Sequence, residues 1–82
     1  MVRYDEHAEF QIARRDLLKG WIEQTLREPD LVEEKGSRRS FFKRLPGRRI
    51  MLRVVTPVGD PEYVITAYFD LLRQEEAMRV RI

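Results

Sequence analysis

The chain has 82 residues, 16 basic and 14 acidic side chains, a net charge of +2, one histidine and no cysteine. Without cysteine, disulfide staples and thiolate metal sites are excluded, and a lone His7 makes no zinc site without carboxylate help, so neither metal nor cofactor is expected. The length bounds one domain over residues 1–82 with a single modest core, and no apolar run approaches the roughly 20 residues that span a bilayer, so a cytoplasmic protein without membrane contact is expected.

The first element is a helix from about Asp5, an acceptable N-cap, to about Arg14, because Tyr4, Ala8 and Ile12 recur at i, i+4 and i+8 on one face. His7, Gln11 and Arg15 share a second face at the same spacing. A second helix starts near Asp16, where Leu18, Trp21, Ile22, Thr25 and Leu26 form a 3.6-residue stripe that Pro29 ends. Gly20 costs that helix about 1 kcal/mol and points to close packing or a break.

Beyond Pro29 the hydrophobic period falls to two, and LVEEKG, RSFFKRL, RRIMLRVVT and EYVITAYFD read as successive strands. Pro46-Gly47 and Val58-Gly59-Asp60-Pro61 are turn material, and connections this short imply antiparallel neighbours. The expected fold is α+β, with two N-terminal helices packed on a three- to four-stranded antiparallel meander. The core spans residues 4–70, and residues 71–82 form a tail or a short third helix.

Charge is distributed in blocks. Residues 1–34 carry −4 and residues 54–82 carry −2, whereas Lys35, Arg38, Arg39, Lys43, Arg44, Arg48, Arg49 and Arg53 give the segment between them +8 without a single acid. Like charges gathered this densely need an anion, either nucleic-acid phosphate or an acidic protein.

Strand alternation sorts these cations by face. Ile50, Leu52 and Val54 point one way and Arg49, Met51, Arg53 and Val55 the other; in the last strand Ile65, Ala67 and Phe69 oppose Val64, Thr66 and Tyr68. With the apolar sets beneath the helices, Arg49, Arg53, Thr66 and Tyr68 are left on the open face, joined by either Phe42 and Arg44 or Phe41 and Lys43. Arginines beside aromatic rings on a sheet suit RNA, neutralising phosphates while unstacked bases lie on the rings. Both phenylalanines are assigned to the core, which a domain this small cannot spare; Tyr68 is assigned to function. His7 is the natural proton carrier, because imidazole alone has an ordinary pKa near neutrality.

The order H-A, a basic residue eight positions after the histidine followed by D-L, then W-I-x-x-T-L-x-x-P, an R-x-x-x-R strand and V-I-T-A-Y resembles a small domain family described as of unknown function. That family is placed in the barnase, EndoU, colicin and RelE nuclease superfamily, near the BrnT and RelE toxins of toxin-antitoxin systems. The resemblance covers roughly residues 4 to 70. It implies a RelE-like fold and a metal-independent endoribonuclease that acts on RNA, often messenger RNA. The implied partner is a small acidic antitoxin, in either a homodimer or a toxin-antitoxin hetero-oligomer. By residue it implies His7, Arg49, Arg53 and Tyr68 as catalytic groups and Arg15 and Thr66 as RNA contacts, to which the acid-free block adds Arg38, Arg39, Lys43, Arg44 and Arg48 as expected RNA contacts. Relatives commonly carry a second basic residue four positions after the histidine, where this chain has Gln11. A second reading within the same fold is a catalytically silent module that binds nucleic acid or an acidic protein.

Overall fold

A computed structural model describes residues 1–47 and 50–70. Arg48, Arg49 and the expected tail at 71–82 lie outside the described residues. The elements run β1 (Arg3–Tyr4), α1 (Glu6–Arg14), α2 (Lys19–Arg27), β2 (Leu31–Lys35), β3 (Arg38–Arg44), β4 (Met51–Pro57), β5 (Tyr63–Val64) and β6 (Thr66–Asp70). Strands β2, β3, β4 and β6 form an antiparallel sheet in that order, and β1 pairs with β5 in a small parallel ladder. The fold is α+β, with both helices packed on one face of the sheet.

Asp5 caps α1, accepting a 3.0 Å hydrogen bond from the His7 backbone N–H. At the other end the helix closes on a non-glycine residue. Asp16 adopts φ 53°, its N–H donates to the Ala13 carbonyl, and the Leu17 N–H reaches back to Ile12. This is a Schellman arrangement, and the Ile12–Leu17 apolar contact that accompanies it joins the main core. Asp16 therefore ends α1 rather than opening α2, which starts three residues beyond the expected point, at Lys19. Gly20 falls in the first turn of α2, where a Cβ would meet nothing within 4 Å, so close packing does not account for it.

The main core joins Ala8, Ile12, Leu17 and Ile22 to Phe41, Leu45, Leu52, Val54, Val64 and Ala67. Trp21 and Phe69 pack onto it with ring centroids 6.4 Å apart. Leu52, Val54 and Ala67 thus lie beneath the helices as alternation requires. Val64 departs from its expected face because Ile65 breaks the strand: its N–H bonds Val55 while Val55 also pairs with Thr66. The extra residue acts as a bulge and turns both Val64 and Ala67 into the core.

The opposite face is less open than expected. Phe42 and Met51, with exposures of 0% and 1%, form a second cluster there with Leu31. Of the two alternatives for β3, Phe42 with Arg44 takes this face, and Phe41 with Lys43 takes the helix side.

Candidate functional site

Three of the expected site residues converge where the end of α1 meets β6. Arg53 on β4 stands directly opposite Phe42 on one side and Tyr68 on the other. Its guanidinium carbon lies 5.1 Å from the Phe42 centroid and 5.7 Å from the Tyr68 centroid, within cation–π range of both rings. Arg15 reaches the same ring from the C-cap of α1, 5.7 Å from the Tyr68 centroid, while its Nη1 donates a 2.9 Å bond to the Ala67 carbonyl. Tyr68 thus carries two guanidiniums. The Schellman turn at Asp16 sets this placement, because Arg15 is the last residue before the chain reverses.

These cations retain donor capacity. A guanidinium has five N–H donors. Arg53 spends two, Nε on Ser40 Oγ at 3.2 Å and Nη1 on Asp70 Oδ2 at 3.3 Å, which leaves three uncommitted among the described residues. Arg53 keeps 29% of its side chain exposed. Two positive forks with spare donors around one phenol ring can grip a phosphate.

His7 belongs to the same helix but not to this cluster. It is exposed near the start of α1, eight residues from Arg15 and thus about 12 Å away along the axis. Among the described residues its imidazole has no hydrogen-bond partner. Gln11 lies between the two, with a buried Oε1 that likewise has no partner among the described residues.

The remaining candidates separate by face. Thr66 lies two residues from Tyr68 on the Arg53 face, opposite Val55. Arg44 shares that face, and its backbone N–H donates to Asp30. Arg38 is exposed at the β2–β3 hairpin, where Gly36 supplies the positive φ of 61° that a two-residue turn demands. Arg39 and Lys43 are on the helix side: Arg39 is paired with Glu34, its direct cross-strand neighbour, and Lys43 Nζ donates to the Glu28 carbonyl at the end of α2. Arg48 and Arg49 lie outside the described residues. Sequence reasoning missed Ser40 and Asp70, the two groups that hold Arg53; only their diagonal register to it could have pointed to them, and register needs the bulge at Ile65.

Among the described residues no group of three His, Asp or Glu side chains is placed to hold a metal ion, and no helix is long and apolar enough to cross a membrane. Burial is the largest cause that pushes the Tyr4 phenol up to about 12, helped by the Glu23 carboxylate beside it. The Tyr63 hydroxyl donates a 2.6 Å bond to Asp5, which holds the Asp5 carboxyl below its ordinary value and raises Tyr63 in turn.

A family model described as a domain of unknown function, DUF4258, matches residues 4–69. The chain belongs to that family. The match covers both helices and the sheet up to Phe69, so Arg15, Arg53 and Tyr68 are all within the DUF4258 domain. No curated protein and no solved structure matches the chain.

Proposed function

We propose that this DUF4258 domain is a metal-independent endoribonuclease, the toxin of a toxin-antitoxin pair, held inactive by a small acidic antitoxin. The observation that carries the reading is the convergence of Arg15 and Arg53 on Tyr68, at the border of a segment with eight basic residues and no acid. Cleavage is transesterification within the RNA strand. A base takes the proton of a ribose 2′-hydroxyl, the oxygen attacks the adjacent phosphorus, the bond to the 5′-oxygen breaks, and an acid protonates that leaving oxygen. His7 is assigned the proton transfer, which requires RNA binding to bring it and the arginine pair, about 12 Å apart along α1, onto one phosphate. Arg53, with Arg49, stabilises the charge gathering on the equatorial phosphate oxygens. Arg15 positions the phosphate and Tyr68 stacks on a base or relays a proton. Arg38, Arg44, Arg48 and Thr66 extend the RNA contact, and Arg39 and Lys43 are left with structural roles.

The test is induced expression of the wild type and of His7→Ala, scored by growth arrest, RNA decay and cleavage of RNA by the purified proteins. General acid-base catalysis contributes roughly 10²- to 10⁴-fold, so His7→Ala should lose that much cleavage and keep its RNA affinity. Purified wild type that leaves RNA intact defeats the proposal. The second reading, a catalytically silent RNA-binding module, draws support from the distance of His7 from the arginine pair and from Gln11 between them; it expects binding with no cleavage to abolish.

A further inference from the structure

Arg53 is gripped from both neighbouring strands. The aromatic residues Phe42 and Tyr68 stand directly opposite it, while the polar residues Ser40 and Asp70 stand diagonally, one toward each end of β4. Both polar residues are only 6% exposed. A carboxylate taken this far out of water is costly unless paired, and in the folded chain Asp70 Oδ2 accepts from Arg53 Nη1 at 3.3 Å. Ser40 Oγ accepts from Nε at 3.2 Å on the opposite side. Two fixed acceptors on a planar fork stop rotation about its last bonds and aim the remaining N–H groups in one direction, the form of support that a positioned charge needs.

We infer that Asp70 and Ser40 are positioning residues that aim the Arg53 guanidinium at a substrate phosphate; this rests on the RNA-directed reading above for the identity of the ligand. Asp70 also tempers the charge of Arg53. Its removal therefore has opposed consequences, because the attraction for phosphate grows while the aim is lost. A residue that merely stabilised the fold would weaken binding and cleavage together.

The experiment measures affinity for a fluorescent single-stranded RNA oligomer across a salt series, together with its cleavage rate, for the wild type, Asp70→Asn, Arg53→Ala and the double variant. Asp70→Asn should bind RNA at least as tightly as the wild type, with a steeper salt dependence, and cleave it tenfold or more slowly. Both effects should be clearly smaller in the Arg53→Ala background, where the part of Asp70's action that runs through the Arg53 side chain is gone. Equal losses in both backgrounds, or no change in either, overturn the inference. Should Asp70→Asn fail to fold, Ser40→Ala replaces it in the same cycle, with a smaller loss of cleavage that Ser40→Thr restores; a loss that Ser40→Thr leaves uncorrected overturns the inference. If the wild type binds the oligomer without cutting it, the nuclease reading falls and affinity decides: coupling between positions 70 and 53 upholds the positioning role, and additivity overturns it. If the wild type binds no RNA, both proposals fall.

Discussion

Tyr63 and Asp5 show how one side chain can serve two elements. The Asp5 carboxylate caps α1 with one oxygen and accepts the Tyr63 hydroxyl with the other, so the helix that carries His7 is tied to β5 by a single residue. The titration behaviour follows. A phenol whose folded pKa is raised contributes stability that is fully present below the unfolded value near 10 and is lost as pH rises through the folded value. For Tyr4 that window runs from about 10 to about 12, and Tyr63 adds to it in the same direction. Asp5, whose carboxyl is lowered, contributes stability that is present above the ordinary carboxylate range and lost as pH falls through its lowered value. A tyrosinate absorbance titration should therefore show late ionisation accompanied by unfolding, and Tyr4→Phe should remove the last step. A single transition near pH 10 with the fold intact would contradict this account.

At the scale of elements, the helices were legible because their stripes are long enough to repeat. The α1 cap at Asp5 and its end at Arg14 follow from the sequence, and so do the core positions Ala8 and Ile12. The start of α2 did not, because the left-handed Asp16 lacks the glycine that usually marks such a turn. The parallel pair β1–β5 was also invisible: two residues in each strand leave no period to detect. The bulge at Ile65 hid the face of Val64 for a related reason, since one inserted residue reverses every assignment before it. Gly20 gives this scale its prediction. With open space around its Cβ position and an ordinary helical backbone, Gly20→Ala should stabilise the protein by up to about 1 kcal/mol in a denaturant melt. A loss of stability would mean that something packs against that turn.

Across the whole molecule, the +8 block is not one surface. Alternation sends Arg38, Arg44 and Arg53 to one side of the sheet and Arg39 and Lys43 to the other, a division that composition alone could not show. Arg15, from outside the block, joins the first group by reaching around the edge of β6. On the proposed RNA reading, its six contacting cations (Arg15, Arg38, Arg44, Arg48, Arg49 and Arg53) give an expected log-log slope of binding against salt of about −4 for a single strand. Arg15→Ala or Arg53→Ala should each flatten that slope by about 0.7, and Arg39→Ala or Lys43→Ala should leave it unchanged. Equal flattening by all four would show that the sheet does not divide its cations by function. Within the candidate site, Arg15, Arg53 and Tyr68 could be named from the sequence, whereas their convergence and the pair Ser40 and Asp70 that holds Arg53 could not, because partners drawn from three strands are brought together only by register.

The parallel ladder also orders events in time. Arg3 pairs with Tyr63, sixty positions later, so the first strand waits unpaired while nearly the whole segment is translated. Closing so long a loop is entropically costly and slow compared with forming the hairpins inside it. A nascent chain that stalls before Tyr63 has no hydroxyl for Asp5 and no docking strand for its leading residues, and the His7 helix gains its anchor only once Tyr63 has been made.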